Sequence, residues 1–140
     1  MTREEQIKSD EGTVVNEQDK QLLLKDLSAR LPYGVFVHTW YDKPLDIKCT
    51  GMDLYTNTIN LDIPDDDNAK VYIDNCKPYL RPMSSMTDKE KDYVIHLADL
   101  PCAAQICEKK VDFFLSHHID WRGLLPKGLA LPAQDGMYND

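Results

Sequence analysis

Residues 77–87 read KPYLRPMSSMT, and the middle of the fold depends on whether the prolines in this stretch stop a sheet or sit inside one. Proline has no N–H to give to a ladder, so Pro78 and Pro82 predict a stiff exit from the sheet rather than a strand within it. On that reading Tyr79 and Leu80 pack back on the core, while Arg81 points outward or pairs with a carboxylate. Thr87 and Glu90 follow at the T-x-x-E spacing of a capping box, in which each residue satisfies a backbone N–H of the other. A helix is therefore expected over residues 88–98, with Val94, Leu97 and Ala98 as its apolar stripe. The prolines aim that helix.

Working outward toward the N-terminus, residues 35–40 (VFVHTW) alternate with a period of two, as do LDIKC at 45–49, NTINLDI at 57–63 and AKVYID at 69–74. Residues of alternating polarity bounded by Gly51, Asn57 and the polar turn PDDDN at 64–68 predict four short strands. Tight links between them suggest a four-stranded antiparallel meander that curls into a small barrel or half-barrel. Before it, NEQDKQLLLKDLSARLPYG places Leu23, Leu27 and Leu31 on one helical face, broadened by Leu24, with Asn16 or Asp19 as cap. Pro32 and Gly34 then end that helix.

Past residue 98 the sequence DLP closes the second helix and a third begins near Pro101, carried by Ala104, Cys107, Val111, Phe114 and Leu115 at helical spacing. The remainder, HHIDWRGLLPKGLALPA, is rich in turn formers and reads as an ordered C-terminal wrap. In its segment DWRGLL, Asp120 caps a turn, Gly123 permits a bend, and Trp121 folds into the core. The fold class is α+β: an N-terminal helix, the meander, two C-terminal helices and the wrap.

The chain has 140 residues, 24 acidic against 16 basic, and a formal charge of −8. That length suits one domain, assigned here to residues 16–140. Residues 1–15 are charged and poor in apolar groups, which predicts a disordered acidic tail. The acidic balance argues against direct nucleic-acid binding, because such affinity is built from Lys and Arg displacing counterions. No apolar run is long enough to span a bilayer. Cys49, Cys76, Cys102 and Cys107 form no CxxC pair and read as reduced core residues, which together with the acidic start points to the cytoplasm.

Three segments in order, KQLLLKDLSARLPYGV (20–35), KPYLRPMSSMT (77–87) and HHIDWRGLLPKGLAL (117–131), resemble a family of short, uncharacterised proteins encoded in gut Bacteroidales genomes, their phages and mobile elements. Its pattern runs LPYGV, PYLRPMSSMT, D-aromatic-RGL, KGLA, and the similarity spans most of residues 20–138. Pro126 departs from it, the family having an acidic residue there. The resemblance implies a compact domain inside a bacterial host cell and brings no activity with it.

Candidate chemistry is sparse. His38, His96, His117 and His118 with the four cysteines show no metal-ligand spacing, and the carboxylates at 62–74 lack the glycine and terminal glutamate of a calcium loop, so neither metal nor cofactor is expected. No phosphate loop or nucleophile elbow is present. A Cys107–His96, Cys49–His38 or Ser84/Ser85–His pairing leaves a cryptic hydrolase or transferase as one alternative. An acidic inhibitor that mimics nucleic acid is another. The reading preferred on sequence is a non-enzymatic protein-binding or regulatory module, with Tyr79, Arg81, Trp121 and Arg122 as its anchors because aromatic and Arg side chains dominate interfaces.

Overall fold

A computed structural model describes residues 17–41 and 43–138; the tail expected over residues 1–15 lies outside the described residues. The described residues begin with helix α1, Glu17–Arg30; of the face expected there, Leu23, Leu24 and Leu27 are buried and Leu31 is half-buried, while Asn16, one of the two caps expected, lies outside the described residues. Asp19 lies in its first turn, where a carboxylate favours the positive end of the helix dipole. A 3-10 turn, Leu31–Tyr33, ends it. Gly34 follows at φ 74°, a left-handed geometry that glycine adopts without strain, and its N–H returns to the Leu31 carbonyl.

The sheet that α1 covers has strands β1 Phe36–Tyr41, β2 Lys43–Asp53, β3 Thr58–Leu61, β4 Lys70–Tyr72, β5 Cys76–Leu80 and β6 Leu131–Pro132. Its order is β4-β3-β2-β1-β5-β6, antiparallel throughout except for the parallel β5–β6 pair. The first four strands are those read from the two-residue period. Among the described residues the sheet is open, with β4 and β6 at its edges, and six strands take part rather than four.

Although open, it is strongly coiled. A flat sheet would separate β4 from β5 by about 19 Å, four spacings of roughly 4.8 Å. Yet Tyr72 and Cys76 are joined by four Cα steps, which reach about 14 Å at most. The bend is made in β2, whose first half pairs with β1 and whose second half pairs with β3, with a register shift between Cys49 and Gly51. A Cβ at Gly51 would come within 3.0 Å of the Asn60 side chain, so the bulge is packed where the residue is smallest.

The expectation that Pro78 stops the sheet is corrected here. Pro78 lies within β5, buried, opposite Val37 of β1. Successive residues of a strand turn their polar backbone groups to alternate neighbours. The Tyr79 carbonyl accepts a hydrogen bond from Tyr138 Oη, which also receives the Phe36 N–H, so Tyr79 faces β1. The Leu80 carbonyl accepts the Ala133 N–H on the opposite side. Pro78 therefore faces the β6 side, where the ladder begins only at the Tyr79–Leu131 pair, and its missing N–H costs no hydrogen bond. Pro82 does end the strand, leading into a 3-10 turn, Met83–Ser85.

Beyond the start of β1, residues 118–120 take its place beside β5. The Arg81 N–H donates to the His118 carbonyl (2.7 Å) and the Asp120 N–H to the Arg81 carbonyl (2.8 Å). Asp120 then caps the following turn with both carboxylate oxygens, accepting from the N–H groups of Leu124 (2.8 Å) and Leu125 (2.9 Å), and Gly123 bends at φ 81°. These roles agree with the sequence reading of DWRGLL. Trp121 is only half-buried, which corrects its assignment to the core.

Helix α2, Asp88–His96, carries the complete Thr87–Glu90 capping box, and α3 is Ala103–Ser116. The pair projects from the sheet: α2 has no buried residue, and α3 buries only Phe114 and Leu115. Leu97, just past α2, is buried, whereas Ala98, Ala104 and Cys107 of the expected stripes are exposed. Cys102 is exposed as well, so only Cys49 and Cys76 of the four cysteines are core residues.

At the centre of the helical side lies a buried charge pair. Arg30 and Asp26 share a face of α1, one turn apart, and neither side chain has any exposure. Arg30 Nε donates to Asp26 Oδ2 at 2.7 Å and Nη2 to the Ile119 carbonyl at 2.7 Å, while Arg122 Nε lies 3.2 Å from Asp26 Oδ1. Asp26→Ala leaves the Arg30 charge buried without its counter-ion. Such a loss costs about 3–5 kcal/mol, expected here as a melting point lower by roughly 10 °C or more in a circular-dichroism melt. A variant melting within about 2 °C of the parent would show that the pair is dispensable.

Candidate functional site

The four residues named as anchors from sequence are placed in internal contacts. Tyr79 is buried on the sheet face away from α1, and its hydroxyl donates to Asp46 Oδ1 at 2.7 Å; the same oxygen lies 2.7 Å from His38 Nδ1. Burial, and then the Asp46 carboxylate, push the Tyr79 phenol up to about 12. The hydrogen bond from His38 holds Asp46 below the usual carboxylate range.

Arg81 is clamped at the junction of β5 and α2. Its Nη2 and Nη1 grip Glu90 Oε1 and Oε2 at 2.7 and 3.0 Å, and Nη2 and Nε also donate to the Ser85 carbonyl and Oγ. Glu90 is a capping-box residue as well, accepting the Thr87 N–H at 2.9 Å. The Arg81 guanidinium thus holds the first turn of α2 against the end of the sheet, a planar fork meeting a carboxylate two-on-two. Trp121 and Arg122 occupy each other: the guanidinium lies 4.2 Å from the indole centroid and reaches Asp26.

Of the nucleophile pairings weighed from sequence, Cys49 and His38 lie on opposite faces of the sheet. Cys49 is in the core with Val37, and His38 faces Asp46 on the other side. Burial pushes the Cys49 thiol up to about 11 and the Cys76 thiol well above its ordinary value, both adverse to thiolate formation. Ser85 Oγ donates to the Pro82 carbonyl, and His96 Nδ1 lies 2.7 Å from the Asp92 carbonyl within its own helix. Among the described residues no group of three or more His, Cys, Asp or Glu is arranged to hold a metal ion. Asp66 of the acidic turn accepts from the Tyr41 hydroxyl and from the Asn68 N–H, which makes it a fold residue.

Exposed apolar side chains are spread over the surface, with Trp40, Met83, Tyr93 and Ile95 among them, and three come from one corner of the sheet. In the turn between β2 and β3, Leu54 is 65% and Tyr55 96% exposed, and Tyr72 of the edge strand β4 is 63% exposed. The turn supports itself. Asp53 Oδ1 accepts the Tyr55 N–H at 2.9 Å and lies 3.4 Å from the Thr56 nitrogen, while Thr56 and Thr58 hydroxyls are paired at 2.8 Å. Asn57 closes it at φ 57°, and its carbonyl accepts the Ile73 N–H, tying the turn to the β4 edge. Beside it a cleft of about 360 Å³ is lined by Thr56, Asn57 and Tyr72, with Lys20 and Asp74 paired at 3.6 Å. Sequence reasoning passed over this tip, although the signal was available: Leu and Tyr stand inside a turn whose other residues are Asp53, Thr56 and Asn57.

Comparisons of the chain with protein-family models, with curated proteins and with solved structures find no match.

The Arg81–Glu90 clamp makes a pH prediction. Arg81, with the Thr87 cap, lowers the Glu90 carboxyl from its ordinary 4.5 to about 2 in the folded protein. A depressed folded value means stability present above the unfolded pKa and lost as pH falls through the folded one. The melting-point gap between the parent and Glu90→Gln should be full above about pH 5 and close progressively as pH falls toward 2. A gap independent of pH over that window would show that the ionised clamp contributes nothing.

Proposed function

We propose that this chain is a small, non-enzymatic protein-binding module of regulatory character, of phage or mobile-element origin, acting inside a bacterial cell. The observation that carries the reading is the tip formed by Leu54, Tyr55 and Tyr72. A fold of this size has little reason to display two tyrosines and a leucine at one corner unless something covers them. Tyrosine is a favoured interface anchor, combining a large apolar body with a polar end and few rotatable bonds. Because the turn is already held by Asp53, Asn57 and the Thr pair, little ordering entropy opposes its docking.

The coiled meander, read as a half-barrel, is the scaffold that carries this tip, beside the first turns of α1 where Lys20 meets Asp74. No helix among the described residues is long and apolar enough to cross a membrane. The formal charge of −8 favours a partner whose apolar pocket is rimmed by basic residues, since complementary fields raise the rate of encounter.

The test is affinity capture from the native host with tagged protein, followed by calorimetry on the purified partner. Tyr55→Ala and Tyr72→Ala should each weaken binding by about tenfold or more, the scale of a hot-spot residue. Both variants should still melt within about 2 °C of the parent, because exposed side chains away from special contacts contribute little to stability. Unchanged affinity in both would remove the tip from the interface and the reading with it.

A further inference from the structure

The cleft between α2 and α3 has a different chemistry from the tip. It measures about 470 Å³, within the range of small-molecule pockets. Three rings build its wall: Tyr93 stacks on Phe113 at 4.8 Å between centroids and 26° between planes, and Phe113 stacks on His117 at 4.1 Å and 28°. Tyr93, 46% exposed, is the most open member of the stack, Phe113 and His117 being half-buried. α2 and α3 each contribute to the wall, so the cleft is a product of the helical hairpin.

Its charges are unequal in availability. The carboxylate of Glu90 has both oxygens gripped by Arg81, and Asp112 accepts a hydrogen bond from the Tyr33 hydroxyl, whose pKa it raises. Lys89 and Lys109, which also line the cleft, take part in none of the ion pairs among the described residues. His117 Nδ1 lies 3.0 Å from the Phe113 carbonyl and 3.1 Å from Ser116 Oγ, contacts that hold its ring in the stack. In a chain of formal charge −8, this gives one cleft with two available ammonium groups beside a ring wall.

We propose that the cleft between α2 and α3 binds a small planar aromatic anion, its ring stacking on Tyr93 and its carboxylate or phosphate held between Lys89 and Lys109. The ring wall supplies affinity that is indifferent to the identity of the ring, and the lysines supply the preference for an anionic substituent. The occupant is a free small molecule, because a cleft of about 470 Å³ with one ring wall and one pair of lysines suits a single ring and its charged substituent. At 100° per residue, Ile95 lies 200° from Tyr93 around α2, so occupancy leaves the outer side of the hairpin open. The β2–β3 tip belongs to another part of the fold, and this site stands or falls independently of it.

The experiment is a two-dimensional NMR titration of the intact protein with adenosine monophosphate and with indole-3-acetate, the two sources of the shared chemistry. Adenosine serves as ring without charge, and inorganic phosphate as charge without ring. At least one aromatic anion should give saturable shifts at Tyr93, Phe113 and His117 with a Kd below about 1 mM, and bind at least about tenfold tighter than either control. Lys89→Ala combined with Lys109→Ala, both at exposed positions, should weaken it about tenfold or more without moving the melting point. Tyr93→Leu, which keeps an apolar side chain but removes the ring, should weaken it as well. The relative affinity of the two anions identifies the source. Absence of saturable shifts with both anions at roughly 5 mM, binding of phosphate or adenosine alone as tight as the aromatic anion, or affinity unaffected by loss of both lysines would each overturn the proposal.

Discussion

Arg30 carries a charge into the interior with no exposed surface, and the helical side of the molecule is organised by the acceptors it finds there. Asp26, one turn earlier, supplies a carboxylate from the same helix, but the Ile119 carbonyl comes from a segment 89 residues away. A guanidinium suits this position better than an ammonium, because its planar fork addresses a carboxylate and a carbonyl at once. Leaving either acceptor unmade would strand a buried donor, so the geometry of α1 dictates where residues 118–122 must run. The same segment is bound on its other side to Arg81, through the His118 carbonyl and the Asp120 N–H. Trp121 and Arg122 are therefore placed by polar constraints on both flanks rather than by the apolar preference of the indole.

That dependence explains which parts of the molecule could be read from the chain. Where a signal is local, it held: the leucines of α1, the two-residue period of β1 to β4, the Thr87–Glu90 box, the Asp120 cap and the bends at Gly34 and Gly123. Pro78 was misread because the rule against proline in strands concerns one edge of one residue. Which edge of β5 lacks a partner at Pro78 is known only once β6, some fifty residues later, has been placed. Asp26 and Arg30 look like a solvated i,i+4 pair until a second segment covers them. Ala104 and Cys107 keep helical spacing yet face solvent, since a stripe says that a helix has an apolar side and not that a neighbour fills it.

The residues assigned to partner binding from sequence illustrate the same limit. Arginine and tyrosine are favoured at interfaces for properties that serve equally well inside a fold, and here Arg81, Arg122 and Tyr79 find carboxylates of their own chain: Glu90, Asp26 and Asp46. With 24 acidic residues to choose from, an arginine in this sequence is seldom short of an internal acceptor. Side chains that remain outward are held by local turn chemistry, as at Leu54 and Tyr55, or project on a hairpin, as at Tyr93. Structural work and display are thus divided between residues fixed by distant partners and residues fixed by near neighbours.

Strand β5 has a further consequence, for the order in which the protein can be completed as it is synthesised. One flank of β5 is closed by β1 early in the chain, but its remaining polar groups wait for residues 118–120, for β6 and for the hydroxyl of Tyr138 between Phe36 and Tyr79. A nascent chain that has released β5 therefore holds α1 and the antiparallel strands with an unfilled edge for as long as the following fifty or so residues take to emerge. At ribosomal rates of about 5–20 residues per second, that interval is several seconds, long compared with hairpin formation. During it the exposed edge is open to strand pairing with neighbouring chains. Pro78, the one of the two prolines that lies within β5, removes a donor from that edge during the interval in which it stands uncovered.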